Sequence, residues 1–198
     1  GGTYRGDGSC SEDYPHMDAA WASYKPDAHP VSGEGLATPP AVAKAYSGII
    51  AGVPEALASV TALSRKTGAN ADQAKLLVER TEAWIVQRYT AWEAKSISLD
   101  AYLEGRALAD WLKAAPNLKT QAKTLDTKLK EWAKDEALKD ELAARKAYMT
   151  LGPLAFGNRK SETDQVRTGL DQLAAKHGTT EYGRQAMIVR QAMDAPTE

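Results

Sequence analysis

Cysteine is almost missing from this chain: Cys10 stands alone among 198 residues. No intrachain disulfide and no cysteine-rich zinc site can form. The lone thiol says little about redox compartment, because exported bacterial proteins often carry few cysteines. Charge of either sign is not in excess, with 25 Lys and Arg against 26 Asp and Glu. The chain as a whole therefore has no electrostatic case for nucleic acid or acidic lipid. No run approaches the ~18 apolar residues that span a bilayer. The longest apolar patch, Ser47 to Val53, is broken by Gly48 and Gly52. His16, His29 and His177 lie far apart, without ligand partners at metal spacing, so no metal site is expected. HExxH, CxxC, P-loop and Rossmann glycine patterns are missing too, and no cofactor is expected. No signal sequence opens the chain. It starts Gly1-Gly2 and reads as processed, trimmed or excerpted, so a removed secretion signal stays compatible with it.

What is present is helical period. From Thr38 to Ala192 apolar residues recur at three- and four-residue steps, punctuated by helix-start residues and Gly or Pro stops. No run alternates as a strand does. The expected fold is an all-α bundle of about six to eight helices behind a loosely attached N-terminal segment. Residues 1–37 form that segment: a glycine-rich start, a short helix from Ser11 to Tyr24 anchored by Trp21, and a Pro- and Gly-rich linker. Residues 38–198 form the helical domain. Thr38 is the expected cap of its first helix, and Pro54 either kinks that helix or begins a second. Gly68 stops the stripe through Leu57, Val60 and Leu63, and Asn70 is the expected next cap. Ser98 caps a further helix that ends at Pro116. Leu118, Ala122, Leu125, Leu129 and Trp132 then follow at alternating four and three residues, a short coiled-coil-like seam. Leu125, Leu129 and Trp132 are expected inside, with Lys128 and Lys130 facing water. The helical pattern continues through Leu138, Leu142 and Met149 until Gly152-Pro153 interrupts it. A final helix pair is opened by Ser161 and by Thr179 or Thr180, with Gly178 between.

Few residues invite a chemical role. Acid pairs such as Asp135-Glu136 and Asp140-Glu141 sit beside lysines, and a solvated helical face accounts for them better than acid–base chemistry. Cys10 precedes a helix start, where a dipole can lower a thiol pKa. It has no resolving partner, so a passive thiol is favoured over a reactive one. Trp84, Tyr89, Trp92 and Trp111 are the best candidates for a binding groove between helices. Core and inter-helix packing is the plainer account of the same rings.

Two segments carry a resemblance. Thr179-Thr180-Glu181-Tyr182-Gly183-Arg184-Gln185-Ala186, after Leu173-Ala174-Ala175-Lys176-His177-Gly178, resembles the helix–turn–helix joint of tetratricopeptide-like repeats. In bacterial envelope proteins that joint often reads as an aromatic and a proline, then Thr, Tyr and Ala. Here His177 and Gly178 stand in place of the aromatic and the proline. Thr3-Tyr4-Arg5-Gly6-Asp7-Gly8, followed by the helix at Ser11 to Tyr24, looks like the last strand and helix of a bacterial exported thioredoxin-like protein with a helical extension. The resemblance carries over no catalytic residue, because the redox CxxC and the rest of the sheet are absent.

Three functional expectations follow. The first is a non-enzymatic helical interaction or scaffold region, periplasmic or extracellular, with protein partners and no nucleic acid or membrane span. The second is a fragment or divergent relative of a thioredoxin-like redox protein without its CxxC. The third is a small-molecule binder using the aromatic groove.

Overall fold

The computed structural model describes Val31 and residues 39–155 and 160–194. The expected N-terminal helix, its anchor Trp21, the Thr38 cap and Cys10 lie outside the described residues. Among those described there are eight helices and no strands, so the chain is an all-α helical bundle. The helices are α1 Pro40–Ile50, α2 Pro54–Ser64, α3 Ala69–Glu93, α4 Leu99–Ala114, α5 Lys119–Trp132, α6 Glu136–Ala155, α7 Lys160–His177 and α8 Glu181–Ala192. They fall into two compact units, and the division runs within α3 after Arg88, within α4 after Ala109, and between Lys119 and Thr120.

In the first unit, Pro54 begins a second helix. The cause is the chain just before it. The amide of Gly52 donates to the carbonyl of Ile49, and that of Val53 to Gly48. Gly52 has φ +79°, a left-handed conformation that suits glycine. This is the pattern that closes a helix C-terminus, and Pro54 then occupies the first turn of α2, where its missing N–H is harmless. Val42, Ala45 and Ile49 of α1 and Leu57 and Val60 of α2 are buried, and the two helices pack on each other. A Cβ on Gly48 would stand 2.7 Å from the Cβ of Ala56, so glycine sets how close they come. Gly68, at φ +100°, takes the capping place expected of Asn70. Its carbonyl accepts the amides of Ala71 and Asp72, and Asn70 lies inside the first turn of α3. From there Ala71, Ala74, Leu77, Val78, Thr81 and Ile85 are buried along one side. Asn117 donates from its backbone and its side chain to Glu82, tying the chain after α4 back to α3.

In the second unit, Ser98 caps α4 as expected, its Oγ accepting the amide of Ala101 at 3.1 Å. The helical pattern after α5 does not run on unbroken. It stops at Ala133–Asp135, and Asp135 starts α6 by accepting the Leu138 amide at 2.9 Å. Gly152-Pro153 does not interrupt α6, which continues to Ala155. A proline in a last turn removes only one backbone hydrogen bond. Met149, expected on the core stripe, is 52% exposed. Helices α6, α7 and α8 pack together around Ala144, Val166, Leu170, Leu173 and Ala186, with the Tyr148 and Tyr182 rings tilted against each other at 5.4 Å beside them.

The turn between α7 and α8 is closely built. Thr180 donates to the His177 carbonyl at 2.7 Å and accepts the Gly183 amide at 3.0 Å, so one buried hydroxyl both closes α7 and caps α8. His177 is buried, with Nδ1 2.6 Å from Asp140 Oδ1 on α6. A Cβ on Gly183 would lie 1.8 Å from the His177 carbonyl oxygen. Because that obstacle is backbone, Gly183→Ala is expected to lower stability by about 3 kcal/mol, the upper end for overpacking. Gly52→Ala is strained by its φ but meets no atom, and is expected to cost about 1 kcal/mol. Urea melts of the two variants, followed by circular dichroism, test the order.

Candidate interaction site

The four aromatic residues that sequence brings forward are divided between the units. Trp84 and Trp111 meet edge to face at 5.1 Å in the first. Tyr89 and Trp92 pair at 6.4 Å in the second. Trp92 is fully enclosed, Tyr89 and Trp111 are buried, and only Trp84 is half-buried. The three buried rings pack on neighbouring side chains. Trp92 also lies against Trp132 at 5.2 Å and donates its indole N–H to the Ala101 carbonyl at 2.7 Å. Tyr89 donates to Glu93 at 2.9 Å. Burial, with that carboxylate beside it, holds the Tyr89 phenol above its ordinary pKa.

Lys128 does not simply face water. Its ammonium sits 4.9 Å from the Trp92 ring and 5.0 Å from the Trp132 ring. It also donates to the carbonyl of Glu93, the last residue of α3, at 2.7 Å. One cation thus satisfies two aromatic faces and a helix C-terminus.

An open concavity of the second unit lies elsewhere. It holds about 390 Å³ where the N-terminal ends of α4, α6 and α8 come together. Asp100, Asp135, Glu141 and Glu181 bring four carboxylates to it, and Arg184 brings one guanidinium. Ile97 and Leu138 are among its apolar lining. Helix N-termini usually attract anions through unsatisfied amides. Here some of those amides already have partners. Ser98, Asp135 and Thr180 cap the three helices, and both oxygens of Glu141 accept the amide of Glu181, at 3.0 and 3.2 Å. Arg184 is itself drawn aside, donating to the Thr179 carbonyl at 2.7 Å. The groove is therefore negative on balance.

Sequence reasoning took Asp135 and the Asp140-Glu141 pair as solvated helix surface. Asp135 instead caps α6, Asp140 meets His177, and Glu141 closes α8 from 40 residues away. Only the Asp135 role had a local signal, an acid three residues before Leu138. Among the described residues no group of three or more His, Cys, Asp or Glu is placed to hold a metal ion, and no helix is long and apolar enough to cross a membrane. Cys10, His16, His29 and the segments behind the thioredoxin-like resemblance lie outside the described residues.

Comparison with known proteins returns no matching family model, no matching curated protein and no matching solved structure.

Proposed function

We propose that this chain is a non-enzymatic α-helical interaction or scaffold region of a bacterial envelope or exported protein. The observation that carries the reading is the outer side of α8. Gly183 and Ala186 are buried, while Met187, Ile188 and Val189 are 40%, 66% and 37% exposed. Successive helical residues point about 100° apart, so this trio spreads apolar surface over a broad arc of the helix. Surface of that kind is what protein partners cover. The near-neutral charge of the chain fits a protein partner better than nucleic acid. The compartment is part of the proposal and rests on the likeness of residues 173–186 to the joints of envelope repeat proteins.

Affinity capture from the source cell tests it. The expected result is a protein retained by the tagged chain and displaced by an excess of the untagged chain. Recovery of no such protein, together with a tightly held small molecule, would overturn the reading.

A further inference from the structure

The groove at the ends of α4, α6 and α8 does not stop at its rim. Glu181 and Arg184 belong to it, and Ile188 follows four residues after Arg184 on the same side of α8. Seven residues of helix separate Glu181 from Ile188, about 10 Å along the axis. The surface thus passes from a carboxylate-rich hollow to the most exposed large apolar side chain of the described residues. Inside the hollow, Ile97 is itself 42% exposed and offers apolar contact beside the acids. Asp100 has no side-chain partner among the described residues.

We infer that this face docks a basic segment of a partner protein, deepening the interaction reading on which it rests. A Lys or Arg of the segment is held by Asp100, Asp135 and Glu181, its aliphatic stem lying along Ile97. An apolar side chain of the same segment, about 10 Å further on, covers Ile188. On a helical partner those two side chains are about seven residues apart, and on an extended one about three. Charge selects this occupant. An anion meets four carboxylates against a single guanidinium. Nucleic acid is repelled for the same reason. A small hydrated cation makes no use of Ile97 or Ile188.

Selection from a random-peptide display library against the full chain is the test, followed by fluorescence anisotropy on the enriched peptides. Enriched sequences are expected to pair Lys or Arg with an apolar residue at the stated spacing and to bind less tightly as salt rises. Asp100→Asn and Ile188→Asp lie at exposed positions and are expected to move the urea midpoint little. Each is expected to weaken peptide binding by about tenfold or more. Failure to enrich any sequence, enrichment of acidic peptides, or binding indifferent to both substitutions would overturn the inference. The two proposals fail separately. A cellular partner captured equally by the parent and by the double variant removes the groove and leaves the interaction reading. Groove-dependent peptides without a cellular partner do the reverse.

Discussion

Trp92→Ala is expected to lower the unfolding free energy by about 3–5 kcal/mol, the range for truncating a buried large aromatic. The side chain is wholly enclosed, and its neighbours are not placed to fill the space. Trp132 meets it at a 44° tilt and Tyr89 at 33°. The Lys128 ammonium would lose one of its two rings. The indole N–H also holds the Ala101 carbonyl on α4, so the substitution loosens the attachment of α3 to α4 as well as opening a cavity. Gly105 sharpens the test. A Cβ there would stand 2.8 Å from three atoms of the indole, Cε2, Cζ2 and Nε1. Gly105→Ala alone is expected to cost about 1–3 kcal/mol through overpacking. A leucine at position 92 ends two bonds beyond its Cβ, short of all three atoms, so in a Trp92→Leu background the added methyl group should cost clearly less. A double-mutant cycle with urea melts reads this coupling directly. Strict additivity of the two substitutions would mean that Trp92 and Gly105 are not in contact.

The reach of sequence reasoning follows from where each signal resides. Ser98 and Thr180 cap their helices with side chains acting on amides three residues ahead. That signal is local and was legible. Gly68 replaced Asn70 because a backbone conformation, φ +100°, decided the start of α3, and glycine can serve as stop and start together. Pro54 left two outcomes open, and the Gly52 turn chose between them. Asp135 as a cap was hidden by the charged residues around it, and the apolar spacing ran smoothly across the break it marks. The acid groove had no local signature at all. Its members come from three helices, and a charged residue on a helix reads the same in sequence whether it faces bulk water or a hollow. The aromatic residues carried two readings in sequence, a groove and the plainer one of packing between helices. Three of the four rings are buried and they meet one another in pairs, an arrangement in keeping with the packing reading.

Lys128 and Leu129 are adjacent in sequence, and their substitution separates what spacing could and could not predict. Leu129 is 6% exposed and Leu125 is fully buried, as the four-three seam requires. Leu129→Ala is expected to cost about 2–5 kcal/mol. The same seam placed Lys128 and Lys130 in water, and for Lys130 that reading stands. Its side chain is 73% exposed in an ion pair with Asp126, and Lys130→Ala should change stability by no more than about 0.5 kcal/mol. Lys128 is different because a long side chain can reach back over a helix. Its stem carries the ammonium to Trp92, Trp132 and the Glu93 carbonyl. Lys128→Ala is therefore expected to cost about 1–2 kcal/mol, from lost cation–π attraction and an uncapped carbonyl. Lys128→Met tests the cause, because it keeps most of the stem and removes the charge. If the ammonium is what matters, the Met variant should remain destabilised; if only packing matters, it should melt like the parent. Equal urea midpoints for Lys128→Ala and Lys130→Ala would place Lys128 in solvent, and a parent-like midpoint for Leu129→Ala would turn the seam from core into surface.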